Sequence, residues 1–118
     1  MGNISLNPIS KSLYRHLDFD DLSILALMGE GINRSSISSY LYLTPPAICH
    51  RLKKYEIIWP DMFKKHRSIN VLTEEGFGVC RKAKATVYFL LDLKPTDSYK
   101  EFVARGISGT FGRFGNQI

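Results

Sequence analysis

The sequence predicts a mainly α domain in which one short hairpin interrupts a run of helices. Three observations predict it. Asp18, Asn33, Thr44 and Thr73 each place a side-chain oxygen just ahead of an apolar stripe at helical spacing, as an N-cap does. Two short β-prone pieces, Met62 to Lys65 and Ile69 to Leu72, flank the polar tip Lys65-His66-Arg67-Ser68. The charge is localised: nine Lys/Arg oppose four acids between Thr44 and Thr86, so the whole net charge of +5 falls there. A localised positive field suits a polyanion.

The 118 residues allow one domain with a tail. A hydrophobic share of 44% excludes wholesale disorder. Residues 1–17 are polar and weakly patterned, with Pro8 as a breaker, and read as an N-terminal arm. The first helix follows the Asp18 cap. Asp20 and Asp21 in its first turn complement the helix dipole. Phe19, Leu22, Leu25, Ala26 and Met28 form its buried face, and Gly29 and Gly31 end it. Asn33 to Tyr42 is a short helix with the stripe Ile37, Tyr40 and Leu41.

A tight turn at Leu43 leads to the next cap, Thr44. Pro45 and Pro46 come where a missing N–H costs little and a fixed φ suits a first turn. In the helix Pro45 to Ile58, Ile48, Leu52 and Tyr55 share one face. His50, Lys53 and Lys54 lie mainly off it, with Cys49 and Arg51 at its edges. Trp59-Pro60-Asp61 breaks the pattern before the hairpin.

Thr73 caps a last long helix, helped by Glu74 and Glu75. Gly76 and Gly78 weaken its start by about 1 kcal/mol each relative to Ala. Cys80 and Val87 lie seven apart, as do Ala83 and Leu90; with Phe77 they approach heptad spacing. Lys94-Pro95 stops the helix. Roughly 21 residues would span about 30 Å at about 1.5 Å each. Such a helix projecting from a small domain asks for a partner, so Phe77, Cys80, Ala83, Val87, Leu90 and Leu91 are expected to form a homodimer interface. The alternative is that the helix folds back on its own core. Beyond Pro95, Tyr99, Phe102 and Val103 allow a turn or two of helix. Gly106, Gly109, Gly112 and Gly115 then recur every three residues around Phe111 and Phe114, which reads as a flexible tail. With Arg105 and Arg113 it is available to single-stranded nucleic acid or a protein partner.

Two helices joined by a tight turn and followed by a basic hairpin make a winged helix-turn-helix with a two-stranded wing and a long C-terminal dimerisation helix. The expected boundaries are 1–17 for the arm, 18–72 for the winged unit, 73–94 for the dimerisation helix and 95–118 for the tail. A capped helix with an apolar back and basic front suits the major groove of double-stranded DNA. An ordinary amphipathic surface helix and a solvated hairpin carry the same patterns. Arg51, Lys53, Lys54, Lys64, Lys65 and Arg67 are expected on phosphates, and His50 and Lys53 on base edges. Arg34, Ser35 and Ser36, opening the first helix of the pair, and Pro45, opening the second, join the DNA-facing set. Cys49 is either a small residue allowing close approach or a redox-sensitive thiol near a helix start.

Other classes are disfavoured. Two cysteines make no disulfide framework and fit a reducing compartment. Cys49, His50 and His66 lack metal-site spacing, so neither metal nor other cofactor is expected. No nucleophile–base motif or phosphate-cradling glycine loop appears, so catalysis is not expected. The start MGNISLNPIS has no signal-peptide pattern, and the longest apolar runs, such as Val87 to Leu91, are too short for a bilayer. A soluble cytoplasmic protein with no membrane partner is the expectation.

Asp18 to Leu93 resembles the N-terminal DNA-binding domain of LysR-type transcriptional regulators. Those domains open on an acidic-apolar helix, here DFDDLSILALMGEG. They continue with L-x-V/L before S/T-Q-P-A, here Leu41-Tyr42-Leu43-Thr44-Pro45-Pro46-Ala47. The following apolar-S-R-x-apolar-basic-basic-L-E run is Ile48-Cys49-His50-Arg51-Leu52-Lys53-Lys54-Tyr55-Glu56 here. The wing pattern L-F-x-R…V-x-L-T-E-x-G is met by Met62-Phe63-Lys64-Lys65 and Val71-Leu72-Thr73-Glu74-Glu75-Gly76. The register holds without a gap from Leu41 to Gly76. The resemblance implies a dimeric bacterial transcription regulator whose last helix pairs the subunits. It also implies DNA-facing positions at Thr44, Pro46, Cys49, His50 and Lys53, and wing contacts at Lys65, His66 and Arg67. Pro45 stands where the family has a polar residue. The family's effector-binding domain has no room within 118 residues, so control is expected from abundance, a partner or the tail. The alternative function is a protein-interaction regulator that pairs with another transcription factor without reading DNA.

Overall fold

The computed structural model describes residues 17–108. Five helices and one hairpin follow in order: α1 Phe19–Gly29, α2 Arg34–Leu41, α3 Pro45–Ile58, β1 Phe63–His66, β2 Ile69–Leu72, α4 Glu74–Leu90 and α5 Tyr99–Ser108. The protein is mainly helical, with one two-stranded antiparallel sheet, an arrangement compatible with a winged helix. The expected arm, apart from Leu17, and the tail glycines Gly109, Gly112 and Gly115 with Phe111, Arg113 and Phe114 lie outside the described residues.

All four expected caps are made. Asp18 accepts from the Asp21 N–H, and the Asp21 carboxylate returns a bond to the Asp18 N–H, a reciprocal capping box. Asn33 accepts from the Ser36 N–H, Thr44 from Ala47 and Thr73 from Gly76. The turn before α3 is held by Tyr42, which adopts a left-handed φ of 56°, and by the Ser38 hydroxyl, which donates to the Leu43 carbonyl.

Helix α1 is the hub. Leu22, Ile24, Leu25, Ala26 and Leu27 are all buried, more of the helix than one amphipathic stripe. It packs on α4 so closely that a Cβ on Gly29 would stand 2.7 Å from the Cys80 Cβ. Ile37 and Leu41 of α2 and Ile48 and Tyr55 of α3 close the core.

The hairpin pairs Phe63 with Leu72 and His66 with Ile69. Arg67 and Ser68 form its two-residue loop, with φ of 55° and 68°. A type I′ turn requires positive φ at both central positions. The Thr73 hydroxyl donates to the Asp61 carbonyl at 2.6 Å, tying the hairpin base to α4. Gly76 presses on the same segment, where a Cβ would meet the Met62 carbonyl oxygen at 2.3 Å.

The C-terminal region departs from expectation. Helix α4 has 17 residues, not 21, and ends at Leu90. Asp92 takes a left-handed φ of 58°, its N–H bonds to Phe89 O, and the Leu93 N–H reaches Tyr88 O at 2.8 Å. That is a Schellman stop, the pattern that also ends α1 at Gly31. The chain then reverses and α5 returns, with Phe102 buried beside the Tyr88 ring and Tyr99 against the Tyr40 ring. The expected pairing stripe is spent inside the chain: Cys80, Ala83, Val87 and Leu91 are buried in the core. Only Phe77 and Leu90 of that set remain exposed, at 40% and 41%. The fold-back alternative describes these residues. The part of the expected tail from Tyr99 to Ser108 is helix. Among the described residues, no helix is long and apolar enough to cross a membrane.

Candidate nucleic-acid interface

Helix α3 sorts its side chains into four directions. Ile48 and Tyr55 face the core, with Leu52 packed against it, as their spacing predicts. Arg51 and Lys54 turn toward the start of α1. Cys49 and Glu56 lie toward α2 and the hairpin. Pro46, His50, Lys53 and Ile57, spaced by four, three and four, form the outward face, and all four are exposed.

The α1 side is an ion-pair cluster. The Asp21 carboxylate, 1% exposed, accepts from Arg51 at 2.9 Å, Lys54 at 2.6 Å and the Tyr55 hydroxyl at 2.6 Å. Arg51 also meets Asp18 at 2.9 Å and Asp20 at 4.0 Å. Burial alone would push the Asp21 carboxyl up; hydrogen bonds from Lys54, Tyr55, the Asp18 N–H and Arg51 outweigh it and hold it below the usual carboxylate value. Burial, then the charge of Asp21, raises the Tyr55 phenol far above its ordinary range. Arg51 and Lys54 were expected on phosphates. They are instead engaged by acids about 30 residues earlier in the chain, where they fix the seating of α3. A guanidinium held at 2.9 Å by two carboxylates is largely neutralised toward a third anion.

The remaining cations point elsewhere. Lys53, Lys64, Lys65 and Arg67 are exposed, and no ion pair among the described residues engages them. His50 and His66 are exposed as well. Strand alternation puts Lys65 on the Phe63 side of the hairpin, facing the domain, and Lys64 and His66 on the other. Lys64 and Lys65 border a depression with Glu56 of α3, so these two lysines of the wing adjoin the helix. Arg34 and Asn33 open a groove of about 400 Å³ that runs past Leu52 and Glu56 to Phe63 and Asn70. Thus the start of α2, the side of α3 and the hairpin share one concavity.

Of the other expected positions, Ser35, Thr44, Pro45 and Pro46 are exposed and Ser36 is half-buried. Cys49 is half-buried, and Arg34 Nη1 donates to its sulfur at 3.2 Å. That contact ties the start of α2 to α3. Among the described residues, no group of three or more His, Cys, Asp or Glu is placed to hold a metal ion.

Two features escaped the sequence reading. Ile57, 80% exposed, extends the outward face of α3 and borders a depression with His50 and Lys53; continuing the four-three-four spacing one step would have found it. The acid cluster is signalled by Asp18, Asp20 and Asp21, which the cap and the helix dipole account for equally well when only the first turn is considered. No family model matches the chain, and comparisons with curated proteins and with solved structures find no match.

Proposed function

We propose that the chain is a DNA-binding transcriptional regulator built on a winged helix-turn-helix. One observation carries the reading: the outward face of a proline-started helix and the hairpin beside it carry Lys53, Lys64, Lys65 and Arg67, unpaired among the described residues, while the helix's other two cations are consumed by its own fold. In this reading α3 enters the major groove, His50 and Lys53 meet base edges, and Ile57 sits where an apolar side chain would contact a thymine methyl. Lys64, Lys65 and Arg67 of the wing, with Arg34, grip the backbone. The strained tip supports this role. A left-handed residue other than Gly costs about 1–2 kcal/mol, yet Arg67 and Ser68 both adopt that conformation, and it presents an arginine at the hairpin's end. The LysR resemblance of residues 18–93 agrees with the same assignment and with a bacterial, nucleoid setting. The homodimer expected along α4 loses its physical basis, because most of the stripe is covered, and the proposal is made for one domain on one half-site.

A second reading keeps the face and changes the partner. Pro45 and exposed Ile57 make the face less polar than a DNA surface needs, which favours a regulator that docks on another protein.

The test is fluorescence anisotropy on labelled genomic duplex fragments between 50 and 200 mM salt. With four phosphate contacts, the log–log salt slope is about 3.6, at about 0.9 per phosphate; six contacts would give about 5.4. Lys53→Ala should weaken the preferred duplex by about 1–3 kcal/mol. Absence of duplex binding at 50 mM salt would end the DNA reading, as would a slope indifferent to removal of Lys65 and Arg67.

A further inference from the structure

The C-terminal half of α4 and the turn after it form a surface remote in role from the DNA face. Phe89 stands 57% exposed on the outer side of α4. With Ala85, Leu93 and Pro95 it lines a groove of about 500 Å³ whose rim carries Arg81 and Lys84. Lys84 is paired with Glu30 at 2.8 Å and stands 5.2 Å from the Tyr88 ring centre. No acid among the described residues pairs with Arg81. Lys82, seven residues before Phe89 on the same side of the helix, adds a second exposed cation.

We propose that this groove docks an acidic amphipathic helix of another protein, its apolar residues over Phe89 and its carboxylates on Arg81 and Lys82. Charge complementarity selects that occupant. Residues 1–16 and 109–118 hold no Asp or Glu, only the cations Lys11, Arg15 and Arg113 with His16, so the side chains of these segments offer Arg81 no counter-charge. A second copy docked about a two-fold axis would bring the same patch, whose unpaired charges Arg81 and Lys82 share one sign, so it supplies no matching acidic stripe. An amphipathic helix laid in a groove uses its apolar face for affinity and its flanking charges for selectivity. The inference does not rest on the DNA reading, since it uses none of the same residues.

The test uses the full chain and two labelled amphipathic peptides with one Leu/Phe stripe, flanked by Glu in the first and by Lys in the second. Binding is followed by anisotropy, with light scattering on the free chain. The Glu peptide should bind at least tenfold more tightly than the Lys peptide. Arg81→Glu and Phe89→Ala should each weaken it by about tenfold or more, the loss a central anchor produces. Both positions are exposed, so the urea midpoint and duplex affinity of each variant should stay at the parent values. Equal binding of both peptides, or of neither, overturns the proposal. So does peptide affinity unchanged by Phe89→Ala. A free-chain dimer that Phe89→Ala dissolves makes the occupant a second copy and overturns it too. Because duplex binding is read separately, failure here leaves the DNA reading standing, and the reverse.

Discussion

Asp21→Asn removes the charge at the centre of the cluster that seats α3. The amide keeps the shape of the carboxylate, but one oxygen becomes a donor. If it replaces Oδ2, it faces the Lys54 ammonium and the Asp18 N–H, both of which lose their acceptor. Removing one partner of a buried ion pair costs about 3–5 kcal/mol. The lower end applies. Arg51 keeps Asp18, and the Arg51 and Lys54 side chains retain 22% and 35% exposure, so water repairs part of the loss. The expected loss is therefore about 3 kcal/mol, against a total of about 5–15 kcal/mol for a domain of this size. Urea unfolding of the full chain, followed by circular dichroism, should show it. With a slope near 1.5 kcal/mol/M the midpoint falls by about 2 M. Tyr55→Phe removes one hydrogen bond to the same carboxylate and should cost about 1.5 kcal/mol. Because both act on one network, the double variant should lose less than the sum by at least about 0.5 kcal/mol. A loss under about 1 kcal/mol for Asp21→Asn, or strict additivity, would refute the view that this cluster anchors the helix.

Gly76→Ala drives a methyl into the Met62 carbonyl and should cost about 1–3 kcal/mol, whereas Gly78→Ala meets nothing nearer than the Arg81 side chain at 4.0 Å and should gain about 0.5–1 kcal/mol; thermal melts of the pair check both signs. Ser68→Gly relieves a left-handed residue and should raise stability by about 0.5–1 kcal/mol in the same assay. Stability should fall below about pH 4, because Asp21 titrates lower folded than unfolded and its contribution is lost as the carboxylate is protonated. It should fall again above about pH 8.5, because Cys80 and Tyr88, each pushed up to about 12 chiefly by burial, hold protons that the unfolded chain has released. A urea midpoint that rises as the pH is lowered below about 4, or as it is raised above about 8.5, would contradict these assignments.

Local chemistry was legible in the sequence and long-range chemistry was not. Asp18, Asn33, Thr44 and Thr73 sit at caps because a cap depends on three or four neighbouring residues. The hairpin and the apolar side of α3 are set the same way. Arg51 and Lys54 were misread because their partners lie 30 and 33 residues away. Seen along the helix alone, they differ little from Lys53. The end of α4 was overrun for a different reason. Its left-handed residue is Asp92, where glycine would have marked the stop as Gly31 does for α1. Once α4 stops early, α5 covers Tyr88, and an apolar stripe that suggested a partner becomes core.

The contact between Gly29 and Cys80 leaves no space for even a methyl group, and Cys80 lies buried in the core, closed to reagents in bulk solvent. Cys49 is the protein's other thiol, and it is partly accessible. A maleimide or a fluorophore will therefore find one site while the helices are seated and two once they part. The number of labels taken up per chain is a built-in gauge of how often the molecule opens.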